Sequence, residues 1–162
     1  MDEGELEDFV HRLRASVLAD LTAAGYDKGE ALALADRQIT AAFPDDRRPP
    51  GHHVCHVVVE GRRVGHAWYG PDLAVDDAGW WLYDLAIVEA HRGSGVGTAV
   101  MALVEAEVRA LGGTTIGLRV FDHNGAARHL YERSGFRPVS TLMRKILSEP
   151  DLGETPSETN AR

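Results

Sequence analysis

The chain has 162 residues, of which 44% are hydrophobic, and it carries a formal net charge of −8. This size and composition fit one domain around one core and argue against two full domains. The one cysteine, Cys55, excludes an intramolecular disulfide framework and a Cys-x-x-Cys pair for zinc or redox chemistry. We therefore expect a reducing, cytoplasmic environment, and the acidic amino terminus and lack of a run of about 18 apolar residues argue against a signal peptide or a membrane span.

The negative charge is concentrated at the two ends of the chain. Residues 1–50 carry a net charge of −5, residues 51–147 are neutral and residues 148–162 carry −3. Binding to duplex nucleic acid requires clustered Lys and Arg side chains that neutralise phosphates. Because no basic patch dominates, we do not expect nucleic acid to be a partner.

The first fifty residues predict two amphipathic helices. Apolar residues recur every four positions over residues 5–24, and Gly25 ends that helix. A second helix is predicted over residues 28–43 and is stopped by Pro44, with residues 44–51 as a loop. The apolar positions assigned to the buried faces are Phe9, Leu13, Val17 and Leu21 in the first helix and Leu32, Ala35, Ile39 and Ala42 in the second.

From His53 the hydrophobic period changes to two, which indicates strands. Residues 53–60 and 64–69 are predicted to form a hairpin with Gly61-Arg62 as its turn. Residues 71–79 are predicted to be a loop. Residues 80–88 form a nearly continuous apolar run, typical of a central strand, in which Asp84 is the sole charge before Glu89.

The second half alternates between helix and strand patterns. A glycine-rich turn over residues 92–97 precedes a helix to about Leu111, whose predicted apolar stripe is Val96, Val100, Leu103, Val104 and Leu111. Residues 114–121 predict a strand, and Asn124 is a good N-cap for a helix that ends at Ser134, with Gly135 after it. Residues 136–147 again look like a strand, whereas residues 148–162 are predicted to be a disordered acidic tail.

The turn after the predicted central strand is suited to anion binding. Gly93, Gly95 and Gly97 let backbone N–H groups approach a ligand closely, and the helix that follows adds a partial positive charge. A pyrophosphate fits such a turn, although glycine turns also join strands to helices for steric reasons alone. Thr98 occupies the place of the last glycine of a dinucleotide fingerprint, and no Walker A sequence is present.

Two motifs together resemble those of the GNAT N-acetyltransferase superfamily. The turn fits the family pattern Gln/Arg-x-x-Gly-x-Gly/Ala, and the second pattern, Asn-x-x-Ala-x-x-Leu-Tyr-x-x-x-Gly-Phe, begins about 27 residues after the turn. The matching residues are Arg92, Gly93, Ser94, Gly95, Val96 and Gly97, followed by Asn124, Ala127, Leu130, Tyr131, Gly135 and Phe136. The resemblance covers residues 51–147.

The resemblance implies an α/β fold with two N-terminal helices, a central splayed mixed sheet and two further helices. It divides a single domain, residues 1–147, into an acceptor side (1–50) and an acetyl-CoA-binding core (51–147). Family members commonly begin with a strand, whereas this sequence opens on a helix, so a first strand is missing or displaced.

The resemblance also assigns the acetyl-CoA contacts. Backbone groups of Leu85, Ala86 and Ile87 would pair with the pantetheine chain. The pyrophosphate would be held by Arg92, Gly93, Ser94, Gly95, Val96, Gly97 and Thr98. Asn124 and Tyr131 would contact the cofactor, and Arg128 would reach its phosphates.

Catalysis requires a proton donor, an oxyanion site and a base. The resemblance places Tyr131 beside the CoA sulfur as the general acid, and the alternative is a half-buried core tyrosine. A backbone N–H, that of Ile87, is the expected oxyanion donor. Asp84 is the candidate for holding the substrate ammonium or taking its proton through water, although it could instead cap neighbouring amides.

The resemblance assigns no residue as the general base. The positions where some relatives carry a glutamate hold Arg119 and Trp81 here. His66 and His123 rank below Asp84 as candidates.

The histidine-rich segment over residues 51–56 contains four potential metal ligands. In a strand, His52 and His56 face one side while His53 and Cys55 face the other, so the four side chains do not converge on one ion. We therefore expect no metal.

The sequence thus predicts an N-acetyltransferase that uses acetyl-CoA and a primary amine, with direct attack in a ternary complex and a small-molecule acceptor. The alternatives are an N-terminal or lysine acetyltransferase of proteins, or a non-catalytic acyl-CoA-binding regulatory module. No membrane partner is expected, and the oligomeric state is left open, with a homodimer as one alternative.

Overall fold

The computed structural model describes residues 1–72 and 79–145. The predicted tail at 148–162 and most of the predicted loop at 71–79 lie outside these ranges. In chain order the elements are α1 (Glu3–Ala23), α2 (Lys28–Ala42), β1 (His53–Val59), β2 (Arg62–Pro71), β3 (Trp80–Ile87), α3 (Val96–Ala110), β4 (Ile116–Leu118) and α4 (Gly125–Arg133). Within the described ranges, no helix has the length and apolar character needed to cross a membrane.

The two N-terminal helices form as predicted, with defined caps. The side chain of Asp2 accepts a hydrogen bond from Glu5 N at 2.9 Å, and the Glu5 side chain accepts one from Asp2 N at 3.1 Å, which makes a capping box. After α1, Gly25 adopts a φ of +82°, the left-handed conformation that glycine allows at low cost.

The buried face of α2 differs from the predicted one. Leu32 is 47% exposed, and the buried residues are Ala31, Ala35 and Ile39. Ala35 and Ile39 are buried as predicted and Ala42 is partly buried, whereas Ala31 lies on the buried face in place of Leu32.

The sheet has the order β1-β2-β3-β4, with antiparallel pairing among the first three strands and a parallel β3–β4 pair. The hairpin turn is Glu60-Gly61, with φ values of +50° and +75°, rather than the predicted Gly61-Arg62. Arg62 already belongs to β2 and pairs with Val59. Two positive φ angles are the geometry that matches the twist of a two-residue hairpin.

Strand β4 is shorter than predicted. Only Ile116–Leu118 pairs, and its partners are Trp80, Trp81 and Leu82. The rest of the predicted strand, residues 119–121, leaves the sheet, and Phe121 packs under α1 and α2. The downstream half of β3 is therefore paired with β2 on one side and has no β4 partner on the other.

Helices cover both faces of the sheet. On one face α3 packs over β1 to β3, with Val100, Met101, Val104 and Val108 buried. Leu103 and Leu111, predicted to lie in this stripe, are 70% and 53% exposed, because the buried face of the helix runs through Met101 and Val108 instead. On the other face the aromatic residues Phe9, Phe43 and Trp68 form a second core beneath α1 and α2.

The strand predicted over residues 136–147 does not form within the described part, residues 136–145. Pro138 lacks the N–H that a strand would contribute to a ladder. The end of the segment is held elsewhere, since the Arg144 guanidinium lies 3.9 Å from the centre of the Tyr26 ring and 2.7 Å from a Glu30 carboxylate oxygen. Val139, Leu142 and Met143 are exposed as a result.

Within residues 1–72 and 79–145, four α-helices on an open, four-stranded mixed sheet confirm the predicted fold class. The described chain begins directly with α1, so no strand precedes the first helix within it.

Candidate active site

The downstream half of β3 presents main-chain groups to a gap in the sheet. Val88 N donates to Val64 O of β2 at 2.8 Å. Because successive N–H groups of an extended chain point to opposite sides, the main-chain groups of Ile87 and Leu85 face the gap, while those of Ala86 face β2. Ile87 O accepts a hydrogen bond from Arg92 Nε at 2.9 Å. Leu85 and Ile87 are thus the two predicted pantetheine contacts whose backbone can be reached from the gap.

The glycine turn lies between this edge and α3. Gly93 and Gly95 have φ values of +73° and +89°, and a β-carbon at either position would meet open space. The Ser94 hydroxyl donates to His91 O at 2.7 Å, which stabilises the turn.

The first turn of α3 completes the predicted phosphate site. The first internal hydrogen bond of this helix runs from Ala99 N to Gly95 O. The N–H groups of Val96, Gly97 and Thr98 precede that bond, so an anion can accept from them. Open space over the glycines and free amides fit the diphosphate of a CoA molecule.

Helix α4 packs against this first turn. A β-carbon on Gly97 would lie 3.0 Å from the Leu130 side chain, so only a very small residue allows this approach. Asn124 caps α4, with its side-chain oxygen accepting from Ala127 N at 3.1 Å. The Arg128 guanidinium lies 2.6 Å from Asp122 and 3.9 Å from Glu132. The cofactor contacts expected of Asn124 and Arg128 stay predictions.

Tyr131 is a partly buried phenol on α4. Its ring packs edge-on against Phe136, with centroids 5.9 Å apart. Burial raises the pKa of Tyr131 to about 12, and the nearby charge of Asp84 contributes to the rise. The phenol is therefore protonated at neutral pH, which is the state that a proton donor requires.

Asp84 is joined to His66 of the neighbouring strand. Asp84 Oδ2 lies 2.6 Å from His66 Nε2, and the two side chains are 21% and 22% exposed. The pair lies on the sheet face under α1, where the Phe9 ring stands edge-on to the imidazole with centroids 5.1 Å apart. His66 was ranked below Asp84 from the sequence, which gives no local signal for this contact. The β2–β3 pairing contains an irregularity between Trp68 and Tyr69.

The histidine-rich segment distributes its side chains among different partners. His52 accepts a hydrogen bond from Trp68 Nε1 at 3.0 Å, His53 lies 3.7 Å from Glu107, and His56 lies 3.2 Å from Glu5. Cys55 is exposed. In residues 1–72 and 79–145, no group of three or more potential ligands is arranged to hold a metal ion.

His123, the other lower-ranked base candidate, lies 3.4 Å from Asp20 of α1. This contact belongs to the cluster around Phe121, whose ring stacks on the imidazole with centroids 5.4 Å apart. His123 is thus occupied by a different carboxylate from the one that contacts His66.

Comparison with known proteins gives a consistent family. Residues 15–136 match the model of the acetyltransferase (GNAT) family. Two Bacillus subtilis proteins described as uncharacterised N-acetyltransferases are similar in sequence. YycN is 29% identical over 119 residues, which cover 73% of this chain and 76% of YycN. YdgE is 26% identical over 129 residues, which cover 79% and 82%.

Solved structures show the same fold. The crystal structure of YycN matches with a TM-score of 0.79 at 28% identity and covers 92% of this chain and 96% of that one. The structure of AAC(6′)-Iy in complex with a CoA-containing bisubstrate analogue matches with a TM-score of 0.56 at 14% identity over 91% and 94% of the two chains. Since the family match spans the strands, the glycine turn and the tyrosine helix described above, this chain belongs to the GNAT acetyltransferase family.

Proposed function

We propose that this protein, a single catalytic domain over residues 1–147, transfers the acetyl group of acetyl-CoA to the primary amine of a small molecule in the cytoplasm. The amine attacks directly in a ternary complex. The observation that carries the proposal is the strand edge open at Leu85 and Ile87, which leads into the glycine turn. Tyr131 supports it, since burial and the charge of Asp84 raise the pKa of its phenol.

The binding half of the site fits the shape of a CoA molecule. The main-chain groups of Leu85, and the carbonyl of Ile87 that also accepts from Arg92 Nε, can bind an extended amide-containing chain in the manner of an added strand. The turn from Arg92 and the first amides of α3, which end at Thr98, can hold the diphosphate. Bound acetyl-CoA supplies an acetyl group activated as a thioester.

Two groups of this chain assist the transfer at the reacting carbon. The Ile87 N–H faces the gap, so it can stabilise negative charge on the carbonyl oxygen. Tyr131 donates its phenol proton to the departing sulfur. Its raised pKa keeps that proton in place at neutral pH.

The acceptor side favours a slender cation. Asp84 places a carboxylate on the sheet face beneath α1. Residues 1–50, which contain the two helices packed on that face, carry a net charge of −5 and so favour a cationic acceptor. Asp84 is only one-fifth exposed, so an alkyl ammonium can reach it more readily than a folded protein surface can. The small-molecule acceptor is therefore preferred to a protein amine.

Ligand-induced stabilisation tests the cofactor first. The protein is melted with acetyl-CoA, CoA and ATP in parallel, and a ligand at about 100 times its Kd adds roughly 2.7 kcal/mol, or several degrees. We expect acetyl-CoA and CoA to raise the Tm and ATP to leave it unchanged. Equal stabilisation by ATP, or none by any of the three, would contradict the assignment.

Thiol release then tests the acceptor. Small mono- and diamines, a peptide with a free N-terminus and a lysine peptide blocked at its N-terminus are compared at pH 8 with acetyl-CoA. We expect release of CoA thiol with the small amines. Faster release with either peptide would overturn the small-molecule acceptor, and none with any amine would favour a binding module.

A further inference from the structure

We propose that His66 is the general base that takes the proton of the acceptor ammonium, and that Asp84 positions it. This inference rests on the proposed amine acetylation. Asp84, which the sequence made a candidate proton acceptor, then has the role of hydrogen-bonding and orienting the imidazole of His66.

The 2.6 Å contact fixes the chemistry of the His66 ring. Because an ionised carboxylate accepts hydrogen bonds and cannot donate them, the bond to Asp84 Oδ2 requires the proton of neutral His66 to lie on Nε2. The lone pair of the neutral ring is then on Nδ1. That atom makes no hydrogen bond to any residue in the ranges 1–72 and 79–145. The described contacts thus leave one ring nitrogen held by a carboxylate and the other able to accept a proton.

The groups around His66 support this assignment. On β1, His56 is the direct register partner of His66, and it lies next to Glu5 of α1. On the other side, Asp84 of β3 contacts His66, and its charge also acts on Tyr131 of α4. Because Glu5 lies against His56, Asp84 is the carboxylate that remains for His66, and it stabilises the imidazolium formed when Nδ1 takes a proton.

Phe9 holds the ring in this orientation. Its edge-on contact comes from α1, and Phe9 itself is fully buried between α1 and the sheet. An imidazole fixed by a carboxylate on one nitrogen and an aromatic ring across its face loses little freedom when an acceptor arrives.

The proton balance closes with the groups present. An N–H bond of the acceptor ammonium breaks, the proton forms an N–H bond at His66 Nδ1, and the electron pair stays on nitrogen. That pair forms the bond to the acetyl carbon as the carbon–sulfur bond breaks, and Tyr131 protonates the sulfur. The nitrogen loses its second proton, which restores Tyr131, and His66 releases its proton to water. The products are an amide, the CoA thiol and one proton.

A base at this position matters because the acceptor arrives charged. An alkyl ammonium with a pKa of about 10.4 is deprotonated in only about one molecule in 2,500 at pH 7. An arylamine is uncharged at the same pH. Dependence on His66 should consequently follow the basicity of the acceptor.

The test compares the pH dependence of kcat/KM for native protein, His66→Gln and Asp84→Asn, with an alkylamine and an arylamine as acceptors. Glutamine keeps a donor for Asp84 but cannot take a proton. We expect His66→Gln to lower kcat/KM for the alkylamine at pH 7 by about 10²- to 10⁴-fold, with a smaller loss for the arylamine. The remaining rate of the variant should follow the concentration of free alkylamine, which rises about tenfold per pH unit below the pKa of the amine. Asp84→Asn should give a smaller loss and a displaced pH profile.

His53→Gln is the matched control. His53 also lies beside a carboxylate, Glu107, but on the sheet face covered by α3, and its ring stacks on Tyr69. We expect its pH profile to equal that of the native protein. Stabilisation by acetyl-CoA shows whether each variant is folded, and His66→Asn repeats the test if the glutamine variant does not melt cooperatively.

The outcomes separate the two proposals. Equal losses of kcat/KM with both amines, or an unchanged pH profile in His66→Gln, overturn the base assignment alone and leave amine acetylation standing. If the native protein acetylates no amine although it binds acetyl-CoA, the proposed function fails and the base assignment fails with it.

Discussion

At the scale of single residues, the surroundings of Tyr131 determine which proton it can transfer. Burial and the charge of Asp84 both favour the neutral phenol and raise its pKa to about 12. A phenol with this pKa is almost entirely un-ionised at neutral pH, so Tyr131 suits the role of proton donor and His66 that of proton acceptor.

Removing the phenol oxygen should therefore affect turnover and not cofactor affinity. We expect Tyr131→Phe to lower kcat by about 10²- to 10⁴-fold while the acetyl-CoA-induced rise in Tm stays the same. In the native protein, kcat should show no alkaline decline up to pH 10, since the phenol remains protonated there. Unchanged turnover in the variant would return Tyr131 to a core-packing role.

Single residues also show where prediction from sequence reached its limit. Asp84 was recognisable because a lone charge in an apolar strand requires a partner or a function. Its partner was not recognisable, since the irregular register between Trp68 and Tyr69 determines which β2 side chain lies beside Asp84. The Glu5 contact to His56 likewise joins residues whose distance in sequence gives no local signal.

At the scale of elements, glycine substitutions at the two ends of α3 should distinguish effects on folding stability from effects on acetyl-CoA binding. Gly95 begins the helix and Gly112 follows it, with φ values of +89° and +85° and open space at both β-carbon positions. An alanine at either site should cost about 1–2 kcal/mol of folding stability, because L-residues disfavour this conformation. Only Gly95→Ala disturbs the amides that face the predicted diphosphate.

We expect Gly95→Ala to weaken acetyl-CoA binding at least tenfold and Gly112→Ala to leave it unchanged, as measured by titration calorimetry. Denaturant unfolding should show similar stability losses for both. Equal Kd values in the two variants would mean that the turn is needed only to connect β3 to α3.

Elements were predicted well where local signals determine them. The cap at Asn124 and the glycines after helices, such as Gly25 and Gly135, gave ends that agree with the structure within a few residues. Tertiary packing decided the rest: Leu32 and Leu103 face solvent although each fits a helical stripe. The segment at 136–145 has the composition of a strand, but Arg144 is bound to Tyr26 and Glu30.

At the scale of the whole molecule, Glu5 of α1 connects the N-terminal helices to the sheet. Its carboxylate caps α1 and also lies beside His56 of β1 and Arg63 of β2. The backbone hydrogen bond from Asp2, then the contacts with His56 and Arg63, lower the pKa of Glu5 from 4.5 to about 2. A lowered pKa in the folded state means that the ionised carboxylate stabilises the fold above about pH 4.5.

This stabilisation should disappear as the pH falls from 4.5 towards 2. We expect Glu5→Gln to lower the urea midpoint at pH 7 and to flatten its decline over that acidic range. Glu3→Gln, in the same exposed helical turn, is the control and should retain the native slope. If Glu5→Gln loses stability equally at every pH, the effect comes from packing and not from the charge.

The half-paired strand has a consequence for how the protein avoids unwanted association. An open β edge on the rim of a protein invites strands of other molecules to pair with it. Here the open edge lies inside the sheet, between β2 and the divergent β4, and the contact of Gly97 with Leu130 brings α3 and α4 together beside it. A thin, extended ligand can enter such a slot, whereas a strand that carries its own sheet cannot. The fold thus leaves unpaired N–H and C=O groups of β3 accessible to a ligand, while it prevents other protein molecules from pairing with that edge.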